Sequence, residues 1–367
     1  MAQDWPDGSR MPPRAALTVG LTLAALLCAP LGACSSGPTT TEGSGSAGAG
    51  PAPAAGRTPV PQRVFAASSF WYTPLPASTP TAADSAAIVR DLRVAAVEHG
   101  RPGLPNVTLN THDYTPPLVT TTANDPVHDV RAAPGCRLDP RVVSSLRGLR
   151  IPDDLRPAGG SDHEAALHDP ATDRYTDLWR LSRGPDGTWT ACGGGSIRGA
   201  SRSDGVFPFP LGTTATGLPF AGGLVRAEEL RRGHIDHVVG VAVPYAAPAP
   251  THSWPAVRSD GRNPRGLSVL RQGQRLRLPA DLDLDSLRLT RTARTIARAA
   301  QEFGLVVWDT SGAVSFRAEN ASAFTADPYP RLLGAGSGWE SLNGSGDGQH
   351  EPFPIDRLEV LPVDYGR

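Results

Sequence analysis

An apolar run with no charge in it, Ala15–Ala33, sets the conditions under which the rest of the chain folds. Arg10 and Arg14 precede it, giving the charged n-region and apolar h-region of a secretory leader. The competing reading is an uncleaved anchor, since the run is just long enough to span a bilayer. Both readings place the remainder of the chain outside the cytoplasm, where thiols oxidise.

The run closes on LGAC at Leu31–Cys34, which resembles a bacterial lipobox. By that resemblance residues 1–33 are a signal peptide, Cys34 is lipidated, and the protein is held at the extracellular face of the cell membrane. Cys28 leaves with the leader, so Cys136 and Cys192 are expected to pair. Closing that loop contributes about 4 kcal/mol on the chain-entropy model. Two thiols cannot supply an all-cysteine zinc site. After Cys34 the chain reads SSGPTTTEGSGSAGAGPAPAAGRTPVP, without aromatics or periodicity. That composition predicts a disordered tether over 34–62 and a single folded domain over 63–367.

Within that domain few windows suit a helix, because the chain's 37 prolines and 40 glycines are spread throughout. Thr81–Gly100 is one, with Thr81 and Asp84 as a capping box and Ile88 and Leu92 a turn apart. Thr290–Gly304 is another, with Ile296, Ala299, Ala300 and Phe303 on one side, and Ala227–Arg232 is a short third that stops at Gly233. Elsewhere strands are expected: a hairpin in EAALHDPATDRYTDLWRL, then TWTACGGGSI, HVVGVAVP and QRLRLPA, and a second hairpin in LVVWDTSGAVSF. The fold class is therefore mainly β (β-rich α+β), one sandwich- or barrel-like domain with two or three helices.

Several chemistries are excluded or disfavoured. A formal net charge of −1 gives no pull toward nucleic acid. The chain has no lysine, so it offers no P-loop lysine, Schiff base or Ser-Lys dyad. It has no GxSxG, and FPFPLGTTATGLPFAGGL matches neither GxGxxG nor GxxxxGK[ST]. HEAALH, His163–His168, is one residue too long for the HExxH zinc motif, and on a strand its two histidines face apart. No metal and no cofactor is expected.

Asp162 and Glu164, two apart, project from one face if they lie on a strand, and paired carboxylates can split into acid and base. The alternative is a hydrated strand end. RAEELRRGHIDHVVGVAVP gathers Glu228, Glu229, His234, Asp236 and His237. As helix, glycine stop and strand, it turns His234 and His237 apart. His237 then stands alone at a strand entrance as a candidate acid or base, the alternative being a structural histidine bonded to backbone, and Glu229 is the glutamate able to point inward toward substrate. In THSWPAVRSDGRNPRG, Trp254 is a candidate sugar platform and Arg258 and Asp260 candidate grips; the alternative is an ordinary loop with a packing tryptophan. Asp309, beside Trp308, reads first as the start of a hairpin turn and second as a catalytic carboxylate.

FAASSFWYTPLP, GGSDHEAALHDPATDRYTDLW, CGGGSIRG, GTTATGLPFAGGLVRAEELRRGHIDHVVG, SWPAVRSDG, TIARAAQEFGLVVWDTSGAVSFRAEN and DRLEVLPVDYG together resemble, in the same order, a family of secreted bacterial proteins. That family is common in high-GC Gram-positive bacteria, and similar segments occur in phage tail proteins. The resemblance runs from about Phe65 to the C-terminus and takes in Glu164, Glu229, His237, Trp254 and Asp309. It carries no assigned activity, but bacterial surfaces and phage tails together suit a polysaccharide or cell-wall glycan as partner. The expected function is therefore glycoside hydrolase- or lyase-like, with Asp162, Glu164, His237 and Asp309 catalytic. The alternative is a non-catalytic glycan-binding or scaffolding lipoprotein. Convergence of Asp162, Glu164 and His237 with Trp254 in one cleft would favour the enzyme; their scatter over separate surfaces would count against it.

Overall fold

A computed structural model describes residues 57–98, 100, 103–334, 336–344, 346 and 348–367. The expected leader, Cys34 and the tether as far as residue 56 lie outside them. No described helix is long and apolar enough to cross a membrane.

The strands are β1 (Val107–Asn110), β2 (Leu118–Thr120), β3 (Val127–His128), β4 (Arg131–Ala132), β5 (Leu149–Arg150), β6 (Ala165–Asp169), β7 (Arg174–Trp179), β8 (Ser182–Arg183), β9 (Trp189–Ala191), β10 (Gly193–Arg198), β11 (Val239–Val243), β12 (Arg275–Arg277), β13 (Leu305–Thr310), β14 (Val314–Arg317) and β15 (Glu359–Val360). They build a six-stranded sheet in the order β1-β14-β11-β13-β12-β15 and a four-stranded sheet in the order β10-β7-β6-β2. Two small sheets, β3-β5 and β4-β9-β8, complete the set. None of these closes into a barrel.

The expected helices are present as α1 (Ser85–Glu98), α4 (Ala227–Arg232) and α5 (Arg291–Glu302); the segments α2 (Pro140–Ser145), α3 (Phe220–Gly223), α6 (Tyr329–Leu332) and α7 (Glu340–Asn343) are a turn or two long. Thr290 caps α5 by accepting a hydrogen bond from the Ala293 N–H at 3.0 Å. Gly233, at φ 79°, ends α4.

Strand parity then sorts the cores. Val239, Val241 and Val243 of β11, Leu305 and Val307 of β13 and Phe316 of β14 pack with Ile88 and Leu92 of α1 and Ile296 and Ala300 of α5. Val306 and Trp308 join a second core with Ala165 and Leu167 of β6, Tyr175 and Leu178 of β7 and Ile197 of β10. The large sheet is thus covered by helices on one face and by the four-stranded sheet on the other. Each Leu, Ile or Val buried there contributes roughly 1.5–3 kcal/mol.

Three expectations resolve in detail. The first hairpin forms, with Asp169 opposite Arg174 across β6 and β7. The second does not: β11 lies between β13 and β14, parallel to one and antiparallel to the other. The Ser311 N–H donates to the Val243 carbonyl at 3.0 Å as the connection passes the end of β11. A wholly buried VGVAV strand gains more from two neighbours than from an edge, so it takes the central place. The folded body also begins earlier than residue 63, because Val60 is buried and Arg57 bonds Asp125 at 2.8 Å. Cys136 and Cys192 form the expected disulfide, with their Cα atoms 5.2 Å apart.

Candidate functional site

The face of β11 toward the four-stranded sheet carries only Gly240 and Ala242. A Cβ on Gly240 would lie 2.4 Å from the Trp308 indole, so the ring rests on bare backbone. The pairing of β11 with β13 slips at this point: Val241 faces Val307, but Ala242 faces Asp309. This bulge changes the parity of Asp309. Strict alternation would turn it to the helix side with Val307; instead its Oδ2 lies 3.0 Å from Arg317 Nη2. From the opposite sheet, Glu164 Oε1 lies 3.2 Å from Arg317 Nη1. One guanidinium, set over the rings of Phe220 (5.3 Å) and Trp308 (5.8 Å), therefore bridges two carboxylates across the seam between the sheets.

Burial dominates the electrostatics. It raises Glu164 to about 7, with Arg317 opposing and the charges of Asp162 and Asp309 adding. Burial also raises Asp309 to about 6 against Arg317, with Asp260 and Asp162 adding. Asp177, on β7, is pushed by burial to about 8 although it accepts from the Tyr175 hydroxyl and, at 3.2 Å, from the Phe220 N–H. Glu164 Oε2 is sealed and has no hydrogen-bond partner among the described residues, so nothing there compensates the burial of its charged form. Glu164 is 2% exposed, whereas the Asp309 side chain keeps 20% of its surface open. Asp309 is thus the more open member of the pair.

Asp162 joins this centre by a different route from the one its spacing predicts. His163 sits at φ 41° and β6 starts at Ala165, so Asp162 and Glu164 do not share a strand. Asp162 is held by the Trp179 indole N–H at 3.2 Å and by the Arg180 N–H, which donates to its carbonyl at 2.7 Å. Arg180 is itself at φ 50°. Two non-glycine residues in the left-handed region thus flank one half-exposed carboxylate, a conformational cost of the kind that concentrates at functional sites.

The other candidates lie elsewhere. His237 is buried against Glu229, Nε2 to Oε1 3.2 Å. Glu229 has no exposed surface, and its Oε2 accepts the Arg226 N–H at 2.8 Å, which caps α4. Neither can meet a substrate, because both are spent on the helix-to-strand corner. Arg258 does not grip a ligand: its guanidinium donates to the carbonyls of Pro210, Leu211, Gly212, Ala215 and Thr214 and staples that loop. Asp260 is exposed, bonded to the Gln272 amide at 2.8 Å, and close enough to act on Asp309. Trp254 packs edge-on to Phe70 and under Gly366 at a separate cavity. Exposed His234 pairs with half-buried Asp236 at 2.6 Å, apart from His237. Among the described residues no three His, Cys, Asp or Glu side chains converge as a metal-binding group.

Arg317 and Trp179 belong to the centre although no motif in the sequence singles them out. Arg317 does carry a signal: in VSFR it alternates with core-facing Val314 and Phe316, so it points inward from a strand buried on both faces and needs a carboxylate partner. Comparison with protein-family models, curated proteins and solved structures finds no match.

Proposed function

We propose that this chain is a lipid-anchored surface protein that acts on an envelope or extracellular polysaccharide by acid–base chemistry, hydrolase- or lyase-like. The supporting observation is the Glu164–Arg317–Asp309 bridge, which holds two carboxyls with raised pKa on one fixed cation and leaves one of them open to solvent. In this reading Asp309 gives or takes the proton at the scissile linkage and Asp162 is the second carboxylate at the surface. Glu164 touches no substrate; it is a positioning residue that shares Arg317 and sets the charge felt by Asp309. His237, Glu229 and Arg258 leave the reactive set.

A second reading, a glycan binder without catalysis, rests on the location of Trp254 in a cavity away from the carboxylates. Incubation with a panel of envelope and plant polysaccharides separates the two. The enzyme reading expects new reducing ends or unsaturated sugars from the native protein and none from Asp309→Asn. Retention on a polysaccharide with no product supports the binder instead.

A further inference from the structure

A cavity of about 540 Å³ opens between Phe70, Trp254, Tyr365 and Arg275, with Ser68, Thr73 and Asp204 also lining it. Arg275 is 4% exposed and forms no ion pair with a carboxylate among the described residues; Tyr365 is the one titratable neighbour that acts on it. Among the described residues its side chain makes one hydrogen bond, from Nη2 to the Phe303 carbonyl. Among the described residues Nε is sealed without a partner, while Nη1 has no partner and is not sealed, which leaves it to the cavity that Arg275 lines.

Other buried arginines are better served at their terminal nitrogens, although Arg174 also has a sealed Nε with no partner among the described residues. Arg258 serves five carbonyls and Arg174 serves those of Ser145, Arg147 and Gly148. Arg226, beside the cavity of about 520 Å³ near Arg57, is neutralised by Glu319 at 2.8 Å. A buried cation with neither a counter-charge nor a full set of acceptors is costly to the fold unless something else supplies the anion.

We propose that this cavity receives a carboxylate-bearing sugar ring, with Arg275 pairing the carboxylate and Trp254 and Tyr365 contacting the ring. The choice of a sugar rests on the polysaccharide reading above; the choice of an anion rests on Arg275 alone. A guanidinium matches a planar carboxylate, and aromatic walls suit the apolar face of a pyranose. Asp204 and Ser68 at the rim are exposed and suit hydroxyl groups. Asp204 accepts the Val206 N–H at 3.2 Å and forms no ion pair with Arg275. An acidic polysaccharide is thereby named as the substrate class.

The test is calorimetric titration of the full chain in detergent with oligogalacturonate, oligoglucuronate, their carboxyl-reduced counterparts and polyglycerol phosphate. The uronates are expected to bind, and the reduced sugars to bind weaker by about tenfold or more, as loss of a charged hydrogen bond implies. Arg275→Met should lose the same factor with an unchanged or higher melting temperature, since it removes an unpaired buried charge. Arg275→Lys should fall between. Equal binding by Arg275→Met or by the reduced sugars, binding of polyglycerol phosphate alone, or binding of neither uronate overturns the proposal. If neutral glycans are cleaved while uronates stay unbound, only this inference fails; if no glycan is bound or cleaved, the proposed function fails with it.

Discussion

Asp309 and Arg317 form a 3.0 Å ion pair although they stand on strands that are not neighbours. β11 runs between them, and the pair can meet because β11 presents only Gly240 and Ala242 on that face. The bulge supplies the rest, turning Asp309 to the side of Trp308. Two small residues and one register slip thus produce a charged centre inside an otherwise apolar seam.

Replacing Arg317 with methionine tests how far the centre depends on its cation. Glu164 and Asp309 would be left without a counter-charge, a change that costs about 3–5 kcal/mol where the charges are buried. Both carboxyls can escape by protonation, so the loss should be large at pH 8 and much smaller at pH 5. Urea unfolding at the two pH values measures it, and an equal loss at both would refute the bridge as drawn.

Glu164→Gln should flatten the pH dependence of stability. The folded-state pKa of Glu164 is raised from 4.5 to about 7, so its contribution is fully present below about pH 4.5 and is lost as pH rises through 7. The glutamine cannot ionise and removes that fall, on the order of 3 kcal/mol between pH 4.5 and 8. Asp177 and Asp309, also raised, keep a residual slope of the same sign. Thermal melts of both proteins across this range give the comparison; parallel curves would mean that Glu164 titrates normally.

The elements are more legible in the sequence than the site. Thr290, Gly233 and the apolar spacing of Ile296, Ala299 and Ala300 locate the helices, because caps and periodicity are local properties. Between β13 and β14 the SGA stretch resembles a tight turn, and nothing local says that a strand from far earlier in the chain enters between the two arms. Spacing groups Asp162 and Glu164 for the wrong reason: the φ of His163 breaks the alternation that would align them, and long-range contacts with Trp179 and Arg317 bring them together instead. Arg317 is one of many arginines, and its partner Glu164 lies 153 residues away. Arg258 and Glu229 fit functional roles by residue type, but folding commits them to carbonyls and to a helix cap.

Removing the disulfide by Cys136→Ala with Cys192→Ala should cost about 4 kcal/mol, as expected for a cross-link 56 residues apart. The bridge joins the turn after β4 to the turn between β9 and β10, so the loss should appear as easier global unfolding. Reductant added to the native protein should lower its denaturation midpoint to that of the double alanine variant. A midpoint insensitive to reductant would count against the bridge.

His237 and Glu229 make a second buried pair whose role is stability. Burial pushes the imidazole pKa down, but the charge and hydrogen bond of Glu229, helped by the Val238 carbonyl, outweigh it, and the net shift is upward. A histidine whose folded pKa is raised contributes stability that is complete below its unfolded pKa of about 6.5 and disappears as pH climbs through the folded value. Glu229→Gln removes the charge and weakens the cap on α4, and it should reverse the sign of that contribution, since a buried imidazole without a counter-charge resists protonation. The expected loss is therefore larger at pH 5.5 than at pH 8.5. At the higher pH only the weakened cap remains, about 1 kcal/mol. Guanidinium unfolding at the two pH values decides the matter: a loss that grows with pH would show that the pair is not ionised in the fold. Glycan cleavage by the folded variant should match the native protein, because neither residue reaches the Asp309 centre.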